Sequence, residues 1–185
     1  MFSSTVTAID DSFWCCYNLT SLQIPANVTQ INVTNWSVTC ASALTEIVVD
    51  SNNKTYKSVN GVLFSKDMKT LLRYPVKKDA FTYEIPNGVT TIGISAFSNA
   101  LLLKEITIPN SVTDIRGYAF YGCTKIGSIG IPSSVINMYT GVFSGWTASQ
   151  EIILYGKLFE PTGWSASWGS GCSAKIYWGG KVVVY

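Results

Sequence analysis

Apolar and polar positions along this chain repeat on a period longer than that of any helix or strand. The dipeptide Ile-Pro stands at Ile85-Pro86, Ile108-Pro109 and Ile131-Pro132, two successive intervals of 23 residues. One copy carries apolar or small residues at Ile108, Val112, Ile115, Ala119, Phe120, Cys123, Ile126, Ile129 and Ile131. The copy before it repeats the series as Ile85, Val89, Ile92, Ala96, Phe97, Ala100, Leu103, Ile106 and Ile108. A fixed period in the twenties predicts a solenoid, in which each coil buries its apolar face against the next. Such scaffolds present surfaces, so the period points toward binding before any single residue is considered.

The flanking copies are weaker. Phe13, Cys16, Leu19, Leu22 and Ile24 keep the offsets of Phe120 through Ile131, and Val6 and Ile9 fit if one residue is deleted. The copy that opens at Ile24-Pro25 has Val28, Ile31 and Trp36, then needs two extra residues before Leu44, Ile47 and Val49. The last runs Ile131, Val135, Met138, Val142, Phe143, Trp146, Ile152 and Leu154. The count is about five repeats, interrupted after the second.

Alternation at Ile106-Thr107-Ile108 predicts a short strand with its isoleucines inward. The proline that follows removes a backbone donor and keeps the strand short. Val112 to Ile115 predicts a second extended side, and the turn through Ala119-Phe120 carries an aromatic inward through one helical turn. Stacked coils would pair these strands in parallel, giving a curved, mainly β solenoid.

Residues 50–84 break the period. Tyr56-Lys57-Ser58-Val59 and Val62-Leu63-Phe64-Ser65 flank Asn60-Gly61, which suits a type I′ hairpin turn. A second turn at Lys66-Asp67-Met68-Lys69 returns through Thr70 to Tyr74, so a β-meander is expected, packed through Leu63, Leu71 and Tyr74. Beyond Leu154 the repeat is lost. Trp164, Trp168, Trp178, Gly179-Gly180 and Val182-Val183-Val184 predict a terminal hairpin that caps the last coil. The expected organisation is one structural domain, a solenoid over 1–154 with the insert, and a capping segment over 155–185 that ends it.

The stretches IPNGVTTIGISAF, IPNSVTDIRGYAFYGC and NGVLFSKDMKTLLRYP resemble the BspA-like branch of leucine-rich repeat proteins, over nearly the whole chain. The resemblance implies a secreted or cell-surface protein that adheres to host or matrix proteins. It brings no catalytic residues.

Composition narrows the chemistry. With 47% apolar and 13% charged residues the chain can build a core, and its apolar runs are too short to insert in a membrane. Met1-Phe2-Ser3-Ser4 does not start a secretory signal. A net charge of +2 does not call for nucleic acid. There is no histidine, and Cys15, Cys16, Cys40, Cys123 and Cys172 include no C-x-x-C pair, so neither a zinc site nor another metal or cofactor is expected. Cys16 and Cys123 share one repeat position and are expected to be buried structural thiols. No nucleophile elbow or phosphate loop occurs, and Asp10-Asp11 suits turn chemistry, so no enzyme is expected.

Three surfaces remain. The outward positions of the first strand side, the concave face of a leucine-rich repeat, carry Gln23, Glu46, Glu84, Glu105, Thr107 and Glu151. They form a candidate site for a host or matrix protein or a glycan, against the plainer reading of a solvated sheet. Lys66, Lys69, Arg73, Lys77 and Lys78, with Lys54 and Lys57, give the insert a basic patch for sulfated glycans, or else simple edge protection. The Trp164, Trp168 and Trp178 cluster is a sugar platform or a cap core. N-x-S/T sequons stand at Asn18, Asn27, Asn32, Asn35 and Asn53. The leading expectation is an adhesin; the alternative is a spacer without a ligand.

Overall fold

A computed structural model describes residues 5–9, 16–32 and 42–180. The expectations placed on Asp10-Asp11, Phe13, Cys15, Asn35, Trp36, Cys40 and Val182 to Val184 lie outside these residues. Among the described residues there are fifteen short strands and no helix. The strands are β1 (Ala8–Ile9), β2 (Ser21–Ile24), β3 (Gln30–Ile31), β4 (Glu46–Val49), β5 (Tyr56–Val59), β6 (Val62–Ser65), β7 (Thr70–Arg73) and β8 (Thr82–Glu84). They continue as β9 (Thr91–Ile92), β10 (Glu105–Thr107), β11 (Asp114–Ile115), β12 (Ser128–Ile131), β13 (Asn137–Met138), β14 (Glu151–Leu154) and β15 (Lys175–Trp178).

Two parallel ladders run up the solenoid, as the period requires. The first is assembled from β2–β4, β8–β10 and β12–β14–β15. The second holds β1–β3 and, in one sheet, β13, β11, β9 and β7. Seven rungs therefore stand in the first ladder, two more than the Ile-Pro period counts. One of the two is supplied by the insert, because β7 takes a second-ladder place and β8 a first-ladder place. The other is the tail. β15 pairs in parallel with β14, Ile176 opposite Ile152, and Trp164 bridges Met138. The tail thus adds a coil where only a capping hairpin was expected.

The third side is a run of tight turns, not the expected helical turn. Ala96 donates to Gly93, and Ala119 to Arg116, each spanning three residues. The chain then crosses to the next coil, with Phe97 N–H on Ala119 O at 2.8 Å and Phe120 N–H on Val142 O at 2.9 Å. Phe97, Phe120 and Phe143 stack at 5.2 and 5.7 Å between centroids, and Trp168 meets Phe143 edge-on at 6.2 Å. Each phenylalanine carbonyl accepts within its turn, Phe97 O from Ala100 N–H at 3.0 Å and Phe120 O from Cys123 N–H at 3.3 Å, and the next copy's Cys or Trp adds a second donor. Cys123 Sγ donates to Phe97 O at 3.0 Å, and Trp146 Nε1 to Phe120 O at 2.9 Å. A repeat position that reads as a small hydrophobe is also a donor position.

The meander forms as Asn60-Gly61 predicts, with φ of 49° and 77° in the turn. It is a wedge between two cores. Val62, Phe64, Leu71 and Tyr74 belong to the larger core, which continues to Trp168, whereas Leu63 and Val76 join Ile9, Leu22, Leu44 and Ile47. A strand covered on both faces reads as an unbroken apolar run, which is what Val62-Leu63-Phe64 is. Leu63, Leu71 and Tyr74 are all buried as expected, although Leu63 faces the opposite core from the other two.

Candidate ligand-binding face

The first ladder sets the candidate residues in register. Glu105 lies beside Thr82 and Thr107 beside Glu84, while Glu151 sits between Ser128 and Lys175. Alternation turns Ile106 and Ile129 inward and leaves Glu84, Glu105 and Thr107 exposed. The six residues are not contiguous along the ladder, which is divided into the β2–β4, β8–β10 and β12–β14–β15 segments. Gln23 and Glu46 are exposed on the first two rungs, but the hairpin tip closes over the far edge of β4. Ile47 N–H donates to Gly61 O at 2.9 Å, and a Cβ on Gly61 would meet Glu46 Cβ at 3.1 Å. Glu151 is half-buried and its Oε1 accepts from Tyr177 Oη at 3.2 Å. Glu84, Glu105 and Thr107 remain as exposed neighbours.

Beside them the surface is hollowed. A depression of about 620 Å³ is lined by Glu84, Asn87, Thr107, Asn110 and Ser111. A second, of about 400 Å³, shares Thr107 and Asn110 and continues over Gly130 and Ser133 to Tyr155. The second lies over a seam in the sheet, because no ladder hydrogen bond joins β10 to β12 among the described residues. Gly130 sets its floor. Tyr155, half exposed, lays its ring where a Gly130 side chain would stand, 2.6 Å from an ideal Cβ. Sequence reasoning picked out Thr107 and Glu84 but missed Tyr155, Asn87, Asn110 and Ser133. The repeat of Asn directly after Ile-Pro, at Asn87 and Asn110, was the available signal.

The basic patch needs correction. Arg73 is buried, with 2% of its surface exposed, and Nη1 donates to Ser95 O at 2.6 Å. It lies two residues from Leu71 on the same inward face of β7, so strand alternation outweighs its charge. Lys66, Lys69 and Lys78 direct their ammonium groups at the carbonyls of Asn53, Gly88 and Asn60. Lys77 is exposed. Asp67 caps its turn by accepting from Ser65 Oγ at 2.6 Å and Lys69 N–H at 3.0 Å, which holds its carboxyl below the usual range.

Trp164 and Trp168 are buried, 5.2 Å apart, and line the core of the last coil; Trp178 stacks on its outside and is partly exposed. Cys123 is fully buried, and burial pushes its thiol up to about 12. Cys172 is half-buried and raised for the same reason. Asn53 is fully buried with both amide hydrogens engaged, so a glycan on that sequon is incompatible with the fold. Among the described residues no cluster of metal-ligating side chains occurs, and no helix is long and apolar enough to cross a membrane.

Parallel coils, an aromatic stack and a regular period define a leucine-rich-repeat solenoid. The chain belongs to the family described as BspA type leucine rich repeat region, whose model matches six copies over residues 1–67 and 77–164. It is similar to a leucine-rich repeat protein from Eubacterium ventriosum, at 34% identity and a TM-score of 0.69, over 74% of this chain and 36% of that one. It is also similar to the pneumococcal vaccine antigen PcpA, at 25% identity and a TM-score of 0.65, over 97% of this chain and 49% of that one. A leucine rich cell surface protein from Faecalibacterium prausnitzii shares 27% identity at a TM-score of 0.69, over 97% and 53%. The chain therefore spans between a third and just over half of these structures. No curated protein matches it.

Proposed function

We propose that this chain is a non-catalytic binding module of a secreted or cell-surface protein, acting as an adhesin toward a host or matrix protein or a glycan. The observation that carries this reading is the hollowed stretch of the first ladder from Glu84 to Tyr155, where amides, hydroxyls and a carboxylate stand among Ile108, Pro109 and Pro132. Among the described residues Glu84, Asn87, Thr107 and Asn110 make no side-chain hydrogen bond, so their polar groups are available to a partner. The surface location draws on the family and on a solved relative named a cell surface protein. A non-catalytic role is consistent with a chain that lacks histidine, the commonest general acid–base group.

A second reading is a spacer within a longer solenoid. It is favoured by the greater length of the solved relatives, of which this chain spans 36%, 49% and 53%. Binding to an array of matrix proteins, mucins and glycans at low and physiological salt separates the two. A saturable partner that survives physiological salt supports the binding module. Absence of any partner supports the spacer.

A further inference from the structure

The binding reading names no ligand, but the depression over the β10–β12 seam narrows the choice. Its lining holds one exposed aromatic face, Tyr155, together with the hydroxyls of Thr107 and Ser133 and the amide of Asn110. No charged side chain lines it. The adjoining depression adds the amide of Asn87, while its Ser111 hydroxyl is already engaged with Gly88 N–H and Val89 O, and the one charged side chain in its lining is Glu84. The nearest cations, Lys157 and Lys69, direct their ammonium groups at Ser133 O (3.0 Å) and Gly88 O (3.4 Å), and a sulfated or otherwise anionic ligand would also meet the carboxylate of Glu84. A flat apolar ligand would leave the amides and hydroxyls unpaired, which is unfavourable.

An uncharged sugar chain matches all of these features. Its pyranose rings pair an apolar C–H face, suited to an aromatic ring, with hydroxyls that exchange hydrogen bonds with amides and alcohols. Because the two depressions share Thr107 and Asn110, they make one groove running across the strands from Glu84 to Tyr155. A volume of about 400 Å³ at the Tyr155 end lies within the usual range for small-ligand sites, roughly 300–1,000 Å³. We infer that this groove binds an uncharged oligosaccharide, with one sugar ring stacked on Tyr155 above Gly130. The inference rests on the binding-module reading and specifies its ligand class.

Gly130 makes the site testable without disturbing the fold. A methyl group there would meet the far edge of the Tyr155 ring at 2.6 Å, and an exposed ring can swing aside at small cost to stability. The stacking face would nonetheless move. The experiment is calorimetric titration of the full chain with uncharged tetrasaccharides (cellotetraose, chitotetraose, maltotetraose and mannotetraose) and with a heparin-derived tetrasaccharide. Saturable, salt-insensitive binding of an uncharged tetrasaccharide is expected. Tyr155→Ala and Gly130→Ala should each weaken it about tenfold, and Tyr155→Phe should retain it. Uncharged binding that Tyr155→Ala leaves intact overturns the assignment of the groove. Binding of the heparin fragment alone, lost as salt rises, overturns the ligand class. A matrix protein that binds through Glu84 and Glu105 while all four uncharged sugars fail overturns this inference and leaves the binding module standing.

Discussion

Replacing Asn53 by aspartate changes one atom and tests how the solenoid satisfies its turns. Asn53 is fully buried where the chain leaves β4, and its amide joins two coils. Nδ2 donates to Pro25 O at 2.8 Å and to Val28 O at 2.9 Å, while Oδ1 accepts from Thr55 N–H at 2.9 Å and Tyr56 N–H at 2.7 Å. Gln150 repeats the device one core further on, donating to Cys123 O and Ile126 O at 3.0 and 2.8 Å. In Asn53→Asp a carboxylate oxygen would face two carbonyl oxygens, and the nearest cation, Lys66, is held on the backbone carbonyl of residue 53. Val28 O loses its donor and Pro25 O keeps only Val28 N–H, at about 1–3 kcal/mol for each lost bond, and an unpaired buried charge alone costs about 3–5 kcal/mol. These overlap, so the expected loss near neutral pH is about 3–5 kcal/mol. For a chain of this size that lowers the melting temperature by roughly 6–20 °C.

The pH dependence carries the sign. Burial favours the neutral carboxyl, so the introduced group has a folded pKa above its unfolded value of about 3.9. The penalty is smallest below that unfolded value, where the protonated carboxyl can donate to one carbonyl. It grows as pH rises and is complete above the raised folded pKa. Thermal melts of wild type, Asn53→Asp and Asn53→Ala, followed by circular dichroism at about pH 3.5 and 7.5, read this directly. Asn53→Ala should cost about 2–4 kcal/mol at both pH values. A loss below about 1 kcal/mol for Asn53→Asp at neutral pH, or one that does not shrink in acid, would refute the account of Asn53.

Other outcomes follow from the same geometry. Phe120→Ala removes the middle ring of the stack and should cost about 3–5 kcal/mol by denaturant titration, while Phe81→Ala, at an exposed ring, should change stability by less than about 0.5 kcal/mol. Arg73→Gln should lower stability by about 1–3 kcal/mol yet leave retention on a heparin column unchanged, because the guanidinium is inside. Cys123, its thiol pushed up to about 12, should resist alkylation in the native chain at mildly alkaline pH and react only after denaturation, as read by peptide mass spectrometry.

The fold was legible where packing repeats at a constant spacing. Ile-Pro, Val, Ile and the A-F turn recur at 23 residues, and each recurrence is one coil burying the same side chains. The meander was legible too, because Asn60-Gly61 and Asp67 are turn chemistry that acts locally. The seventh rung was not. Trp164 lies 26 residues from the Met138 it pairs with, and no Ile-Pro precedes β15, so the period hides a coil whose backbone pairing persists. Arg73 misled through its charge, although its two-residue distance from Leu71 already placed it inward. The groove is the hardest case, since it arises from a missing side chain at Gly130 and a ring carried by the next coil. That juxtaposition depends on how far each coil is displaced from its neighbour, which no single repeat encodes.

The most direct test of the central claim is hydroxyl-radical footprinting of the chain with and without whichever partner the array identifies. The account predicts protection centred on Tyr155 and the loops after β8, β10 and β12, with Tyr118, Tyr121 and Tyr139 on the turn side unchanged. Protection confined to the Lys66–Lys78 hairpin, or to the turn-side tyrosines, would contradict it.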